Sequence, residues 1–109
     1  MTLVEFVKIL NSINIPVTYS HWTATSTTPV PLPPYICYLV DGNENFKADN
    51  KVYHKITDAS IELYTIRKDL ALEAKLEQAL DDHEIPYDSN EAFIDSEKMF
   101  QKIYEVRLI

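Results

Sequence analysis

The stretch from Asp49 to Leu80, DNKVYHKITDASIELYTIRKDLALEAKLEQAL, constrains the fold of this chain more than any other. Ala59, Ile61, Leu63 and Thr65 alternate with Ser60, Glu62 and Tyr64, the period of two of a strand with one buried face. Arg67-Lys68-Asp69 breaks that period. The Asp69 carboxylate can accept an amide hydrogen from a first helical turn. Leu72, Leu76, Ala79 and Leu80 then recur on one helical stripe. A strand running from about Tyr53 to Thr65 therefore feeds a helix, and each has one apolar side to bury against the other.

The flanking segments add to this unit. Thr2-x-x-Glu5 is a capping box, and Leu3, Phe6, Val7, Leu10 and Ile13 mark one face of a helix over residues 3–12. Asn14 tolerates the left-handed conformation that stops a helix, and Pro16, in Ile15-Pro16-Val17-Thr18-Tyr19, marks a strand start or an edge. Tyr35 to Val40 is a continuous apolar run of strand length, suited to a central strand antiparallel to the organising one. Asp41-Gly42 holds the only glycine and reads as a tight turn. Residues 43–51 are polar apart from Phe46 and Ala48, and read as a short extra strand or a hairpin tip. Residues 87–95 and 99–108 read as a closing hairpin with its turn at Asp95–Lys98. The two helices end alike: Leu10-x4-Ile15-Pro16 and Leu80-x4-Ile85-Pro86 both precede an extended segment.

The expectation is one α+β domain over residues 1–109. An antiparallel or mixed sheet of four to five strands carries two helices on one face, in the order α-β-β-β-α-β-β. The face left open should carry His54, Asp58, Glu62 and much of the tyrosine content.

His21 to Pro34, HWTATSTTPVPLPP, is long for a connection in a compact domain, and its prolines keep it extended. It reads either as a surface loop or as an arm docking on a neighbouring subunit. Trp22 favours contact, since tryptophan is enriched where interfaces are strongest. The candidate contact residues are Trp22, Pro31 and Leu32 in this arm and Phe46, Lys47, Asp49, Asn50 and Lys51 in the hairpin tip.

Several chemistries are excluded or disfavoured by residue type. The net charge of −7 comes without a basic stripe, which argues against a nucleic-acid reader. The single glycine leaves no phosphate-cradling loop, and the single cysteine allows no internal disulfide or cysteine-based zinc site. Cys37, inside an apolar strand, reads as a core residue. His54, Asp58 and Glu62 share a face, but positions four apart on a strand are ~13 Å apart, too far to hold one ion. Asp81-Asp82-His83-Glu84 crowds negative charge at a helix C-terminus, where the dipole opposes it, and reads as a solvated end or as a surface facing a partner's positive charge. No catalytic residues, cofactor or metal are expected. The first residues, MTLVEFVKIL, lack the basic start and long apolar run of a signal peptide.

FKADNKVYHKITDASIELYTIRKDLALEAKLEQALDDHEIPY, followed by IDSEKMFQKIYEVRL, resembles a family of small proteins of tailed bacteriophages and Gram-positive prophages. These tail completion or tail terminator proteins belong to the head–tail joining region. The matching pieces are Asp49-Asn50-Lys51-Val52-Tyr53, Ile61-Glu62-Leu63-Tyr64-Thr65, Lys68-Asp69 with its helix, and Glu97-Lys98-x-Phe100-x-x-x-Tyr104-Glu105. FVKILNSINIPVTYSHW and PPYICYLV extend the likeness to nearly the whole chain. The resemblance implies a small non-enzymatic α+β subunit that forms hexameric rings on the tail tube. Its partners would be its own copies, the major tail tube protein and the head connector, with DNA passing through the hole unbound. It would be assembled in the host cytoplasm and reside in the virion tail. The competing readings are an adjacent head-side connector protein and a small acidic module that binds a basic partner.

Overall fold

A computed structural model of the chain describes residues 1–43, 46–48, 51–54 and 56–109, with side chains for 1–42 and 56–109. Helix α1 spans Leu3–Asn11 and strand β1 spans Val17–Tyr19. Strands β2 (Tyr35–Asn43), β3 (Phe46–Ala48), β4 (Lys51–His54) and β5 (Thr57–Thr65) follow. Helix α2 (Leu70–Asp82) and the hairpin β6 (Tyr87–Ile94) and β7 (Met99–Leu108) complete the chain. The main sheet has the order β1-β2-β5-β7-β6, and β3 and β4 form a separate two-stranded sheet. Only β1 and β2 run parallel, so the main sheet is mixed. The expected α+β architecture and its α-β-β-β-α-β-β order in the main sheet are both present.

Local chemistry accounts for the helix ends. The Thr2 hydroxyl accepts the Glu5 amide at 3.2 Å and donates to the Glu5 carboxylate at 3.0 Å. Asp69 accepts the Leu72 amide at 3.0 Å, satisfying one of the donors that a helix start leaves free. At the end of α2 the Ile85 amide donates to Leu80 O at 2.9 Å and the Glu84 amide to Asp81 O at 3.0 Å. This paired pattern needs a left-handed residue at Glu84, whose φ is 55°. Asn14, before the matching Ile15-Pro16, has φ 65°. Glu84→Gly should therefore raise stability by about 1 kcal/mol, by relieving a side chain in the left-handed region and removing an anion from a helix C-terminus. Urea denaturation should show the midpoint rising; an unchanged or lowered midpoint would reject this account.

The core lies between the helices and one face of the sheet. Phe6, Ile9, Leu10 and Ile13 from the first helical segment meet Ile36, Ala59, Ile61, Leu63, Tyr104, Val106 and Leu108 from the sheet. Leu76, Leu80 and Ile85 close it from the second helix and its exit. Burial along β5 alternates as the sequence predicts, with Ala59, Ile61, Leu63 and Thr65 inside.

Three expectations need correction. Asp41 and Gly42 are not a turn; they continue β2, and Gly42 has no positive φ. The register against β5 slips between Val40 and Gly42, so the glycine sits at a bulge, another common place for one in a strand. The organising strand is not continuous either: β4 ends at His54 in one sheet and β5 starts at Thr57 in another. Ile56 is out of phase with Ala59, Ile61 and Leu63, so one unbroken strand could not have kept them on one face. The tyrosines do not gather on the open face. Tyr38, Tyr87 and Tyr104 pack toward the helices, with Tyr19 edge-on to Tyr38 at 5.2 Å. Tyr35 and Tyr64 lie opposite. The reason is polar reach: Tyr104 and Tyr87 bury their rings while their hydroxyls donate to Glu77 at 2.8 and 3.2 Å. Cys37 is buried as expected, on the face of the sheet it shares with its cross-strand partner Glu62.

Candidate functional site

The Pro-rich connection has a structural task. β1 and β2 are parallel, so the chain must cross from the end of one to the start of the other, which takes about a dozen residues or more. It crosses on the face away from the helices. Trp22 meets Tyr35 edge-on at 5.9 Å, and Tyr35 lies 5.1 Å from Tyr64, its cross-strand partner on that face. The Trp22 indole nitrogen is buried with no hydrogen-bond partner among the described residues. Farther along the crossover, Leu32 is 87% exposed, while Pro31 is half-buried. Pro33 and Pro34 line a shallow cleft with Thr65, Ile66, Arg67, Lys68 and Asp69. Leu70, beside that turn, is also exposed. The end of the arm, Pro33–Pro34, thus lies beside Ile66 of the β5–α2 turn.

The tip candidates divide. Phe46 and Lys47 lie on β3 and Lys51 on β4, in antiparallel pairing that sets Phe46 opposite His54 and Lys47 opposite Val52. Their side chains, and Asp49 and Asn50 altogether, lie outside the described residues. Tip and arm leave the main sheet separately: the tip prolongs the β2–β5 hairpin beyond Asn43 and Thr57, whereas the arm ends at Tyr35, at the other end of β2.

On the open face near Asn43 and Thr57, Asp41, Asp58, Asp88 and Glu105 border an open depression with Ser60, Pro86 and Arg107. Arg107 forks onto Asp58 at 2.8 and 3.3 Å, and that hydrogen bond holds the carboxyl below its usual range. The Ser60 hydroxyl donates to Asp41 at 2.5 Å. Among the described residues, no group of three or more His, Cys, Asp or Glu is placed to hold a metal ion. Glu62 accepts a hydrogen bond from the Tyr64 hydroxyl at 3.0 Å. Burial and the neighbouring Glu62 push the Cys37 thiol up to about 11, which keeps it protonated and unreactive near neutral pH.

The sequence reading missed one polar cluster, beneath α2. Glu73 is buried, and its carboxylate accepts from Lys68 at 3.0 Å and Lys102 at 2.8 Å. Lys68 also reaches Glu91 on β6 at 2.6 Å, and the Lys102 ammonium lies 5.3 Å from the Tyr104 ring centre. Burial pushes the Glu73 carboxyl up, but hydrogen bonds from the two lysines outweigh it and leave it below the usual value. Its signal was in the spacing: Glu73 falls on the Leu76–Leu80 stripe, and Lys102 shares a strand face with Tyr104, Val106 and Leu108. A lysine and a glutamate on facing buried sides imply a pair. The cluster ties α2 to the hairpin.

No family model matches the chain, and no curated protein matches it. Among the described residues, no helix is long and apolar enough to cross a membrane.

Proposed function

We propose that the chain is a structural subunit of a tailed phage or prophage, a tail terminator or completion protein that forms a ring joining tail to head. The observation that carries this reading is the resemblance, which runs from FVKILNSINIPVTYSHW to FQKIYEVRL. Its segments fall on both helices and on β1, β2, β5 and β7, and touch β6 only at its ends, Tyr87 and Ile94, so the likeness is to most of a domain rather than to one motif. A ring of identical subunits needs two different patches per subunit that fit each other. The β3–β4 tip and the arm around Leu32 leave opposite ends of β2 and supply such a pair. In this reading Trp22 holds the arm in place through Tyr35, while Leu32 and Pro31 make the contact. The net charge of −7 suits a conduit through which DNA slides, since grip comes from lysine and arginine at phosphates.

The ring is hexameric in this reading, seated on the major tail tube protein and facing the head connector. It carries no catalytic residue, is assembled in the host cytoplasm and ends in the virion tail. Deletion of the gene from the phage or prophage genome tests it by electron microscopy of the particles. The expected result is heads without attached tails, with tails of uneven length. Tails of normal length joined to heads would refute the proposal.

A further inference from the structure

The two edges of the main sheet are finished differently. β1 offers only Val17–Tyr19, between Pro16, which has no amide hydrogen, and Ser20 at φ 66°. A short edge beside a proline is a usual protection against unwanted pairing. β6 also follows a proline, Pro86, and carries Asp88 and Glu91, but it is an eight-residue edge rather than a three-residue one. It runs from Tyr87 to Ile94 in unbroken register with β7, and contains neither proline nor lysine. Its residues from Asp88 to Phe93 are exposed, and β7 is its only strand neighbour among the described residues.

The side chains of β6 choose the partner. If a second β6 lies antiparallel across a two-fold axis normal to the sheet, residues of the same face must oppose each other. Placing Glu91 on the axis sets two carboxylates against each other, which is unfavourable. Placing Ser89 there sets Ala92 against the partner's Pro86 and runs Phe93 past the end of the strand. With Asn90 on the axis, Tyr87 meets the partner's Phe93, Ser89 meets the partner's Glu91, and Asp88 meets the partner's Ala92. No like charges face each other, each hydroxyl faces a carboxylate, and an aromatic pair closes each end. Phe93 is 47% exposed, with only the Phe100 ring beside it at 5.0 Å, so it has apolar surface left to bury. Lys68, 2.6 Å from Glu91, offsets the carboxylates that would lie diagonally across the axis.

We propose that β6 pairs antiparallel with β6 of a second copy of this chain, Asn90 lying on the two-fold axis. The result is one continuous sheet with all the helices on one side. Such a contact is closed: it joins two copies and no more, and covers both β6 edges. It uses neither the arm nor the β3–β4 tip, and it does not rest on the ring reading.

The test uses the full chain. Cys37 is its only thiol and is 3% exposed, so an introduced cysteine dominates oxidative cross-linking. Asn90→Cys should give a covalent dimer under mild oxidation. Ser89→Cys should not, because it would sit ~7–8 Å from its own copy, beyond disulfide reach. In sedimentation the wild-type chain should show twice its 12.6 kDa mass. Asn90→Lys, which opposes two ammonium groups at an exposed position, should return it to the single mass with an unchanged circular dichroism spectrum. A wild-type chain that stays monomeric at every concentration overturns the proposal. So does equal cross-linking of the Asn90→Cys and Ser89→Cys variants, or an Asn90→Lys chain that keeps the doubled mass. Each result is independent of the gene-deletion outcome.

Discussion

Replacing Phe6 with alanine is expected to remove about 3–5 kcal/mol of folding stability, the usual range for truncating a buried phenylalanine. Phe6 is 0% exposed and central to the contact between α1 and the sheet, with its ring edge-on to Tyr38 at 6.4 Å. Leu10 and Ile13 occupy the same helical face and are already fully packed. Because a domain of this size is stable by only about 5–15 kcal/mol, the loss is a large fraction of the total. Urea denaturation should show a sharply lowered midpoint with an unchanged slope, since the surface exposed on unfolding barely alters. Phe6→Leu, which keeps most of the volume, should cost less than about 1.5 kcal/mol. Equal losses for the two variants would mean that ring shape, not cavity volume, sets the energy.

The features legible in the sequence are those decided by near neighbours along the chain. Asp69 caps α2 because the acceptor and donor are three residues apart. Ala59 to Thr65 alternates in burial because the period of a strand is fixed by its backbone. The Leu-x4-Ile-Pro parallel proved mechanical, with Asn14 and Glu84 both left-handed just before the isoleucine. Features that depend on two distant elements were not legible. Gly42 reads as a turn until the register of β2 against β5 shows that it lies at a bulge. The length of the Ser20–Pro34 connection was visible, but its cause was the parallel pairing of β1 with β2, which no local pattern announces. Glu73 and Lys102 each fall on an apolar stripe, but that the two meet shows only when α2 is laid over β7. The contact residues proposed for the arm rest on composition. The fold adds that Trp22 is already committed to Tyr35, whereas Leu32 is not buried by its own chain.

Glu73→Ala should cost about 3 kcal/mol, the low end for breaking a buried ion pair, because Lys102 and Lys68 keep only their other partners, Glu77 and Glu91. Lys102 bears most of that loss. Its side chain is 19% exposed, whereas that of Lys68 is 40% exposed and keeps Glu91. Lys102 retains Glu77 at 3.6 Å, so Glu73→Ala and Lys102→Ala should couple, with the double variant less destabilised than the sum of the two. Glu73→Gln separates charge from shape: it preserves packing and an acceptor but not the carboxylate, and it carries the pH test. The Glu73 carboxyl is pushed up by burial and down more strongly by Lys102 and Lys68, to below its ordinary 4.5. A group whose folded pKa is depressed adds stability that is fully present above the unfolded value and is lost as pH falls through the folded one. The stability gap between wild type and Glu73→Gln should therefore be widest above about pH 5 and should close as the pH drops below 4.5. Asp58, also held down by Arg107, contributes to the acid loss of both proteins equally and cancels in the difference. A gap that stays constant across this range would show that Glu73 acts through packing alone, and that the two lysines do not hold its charge.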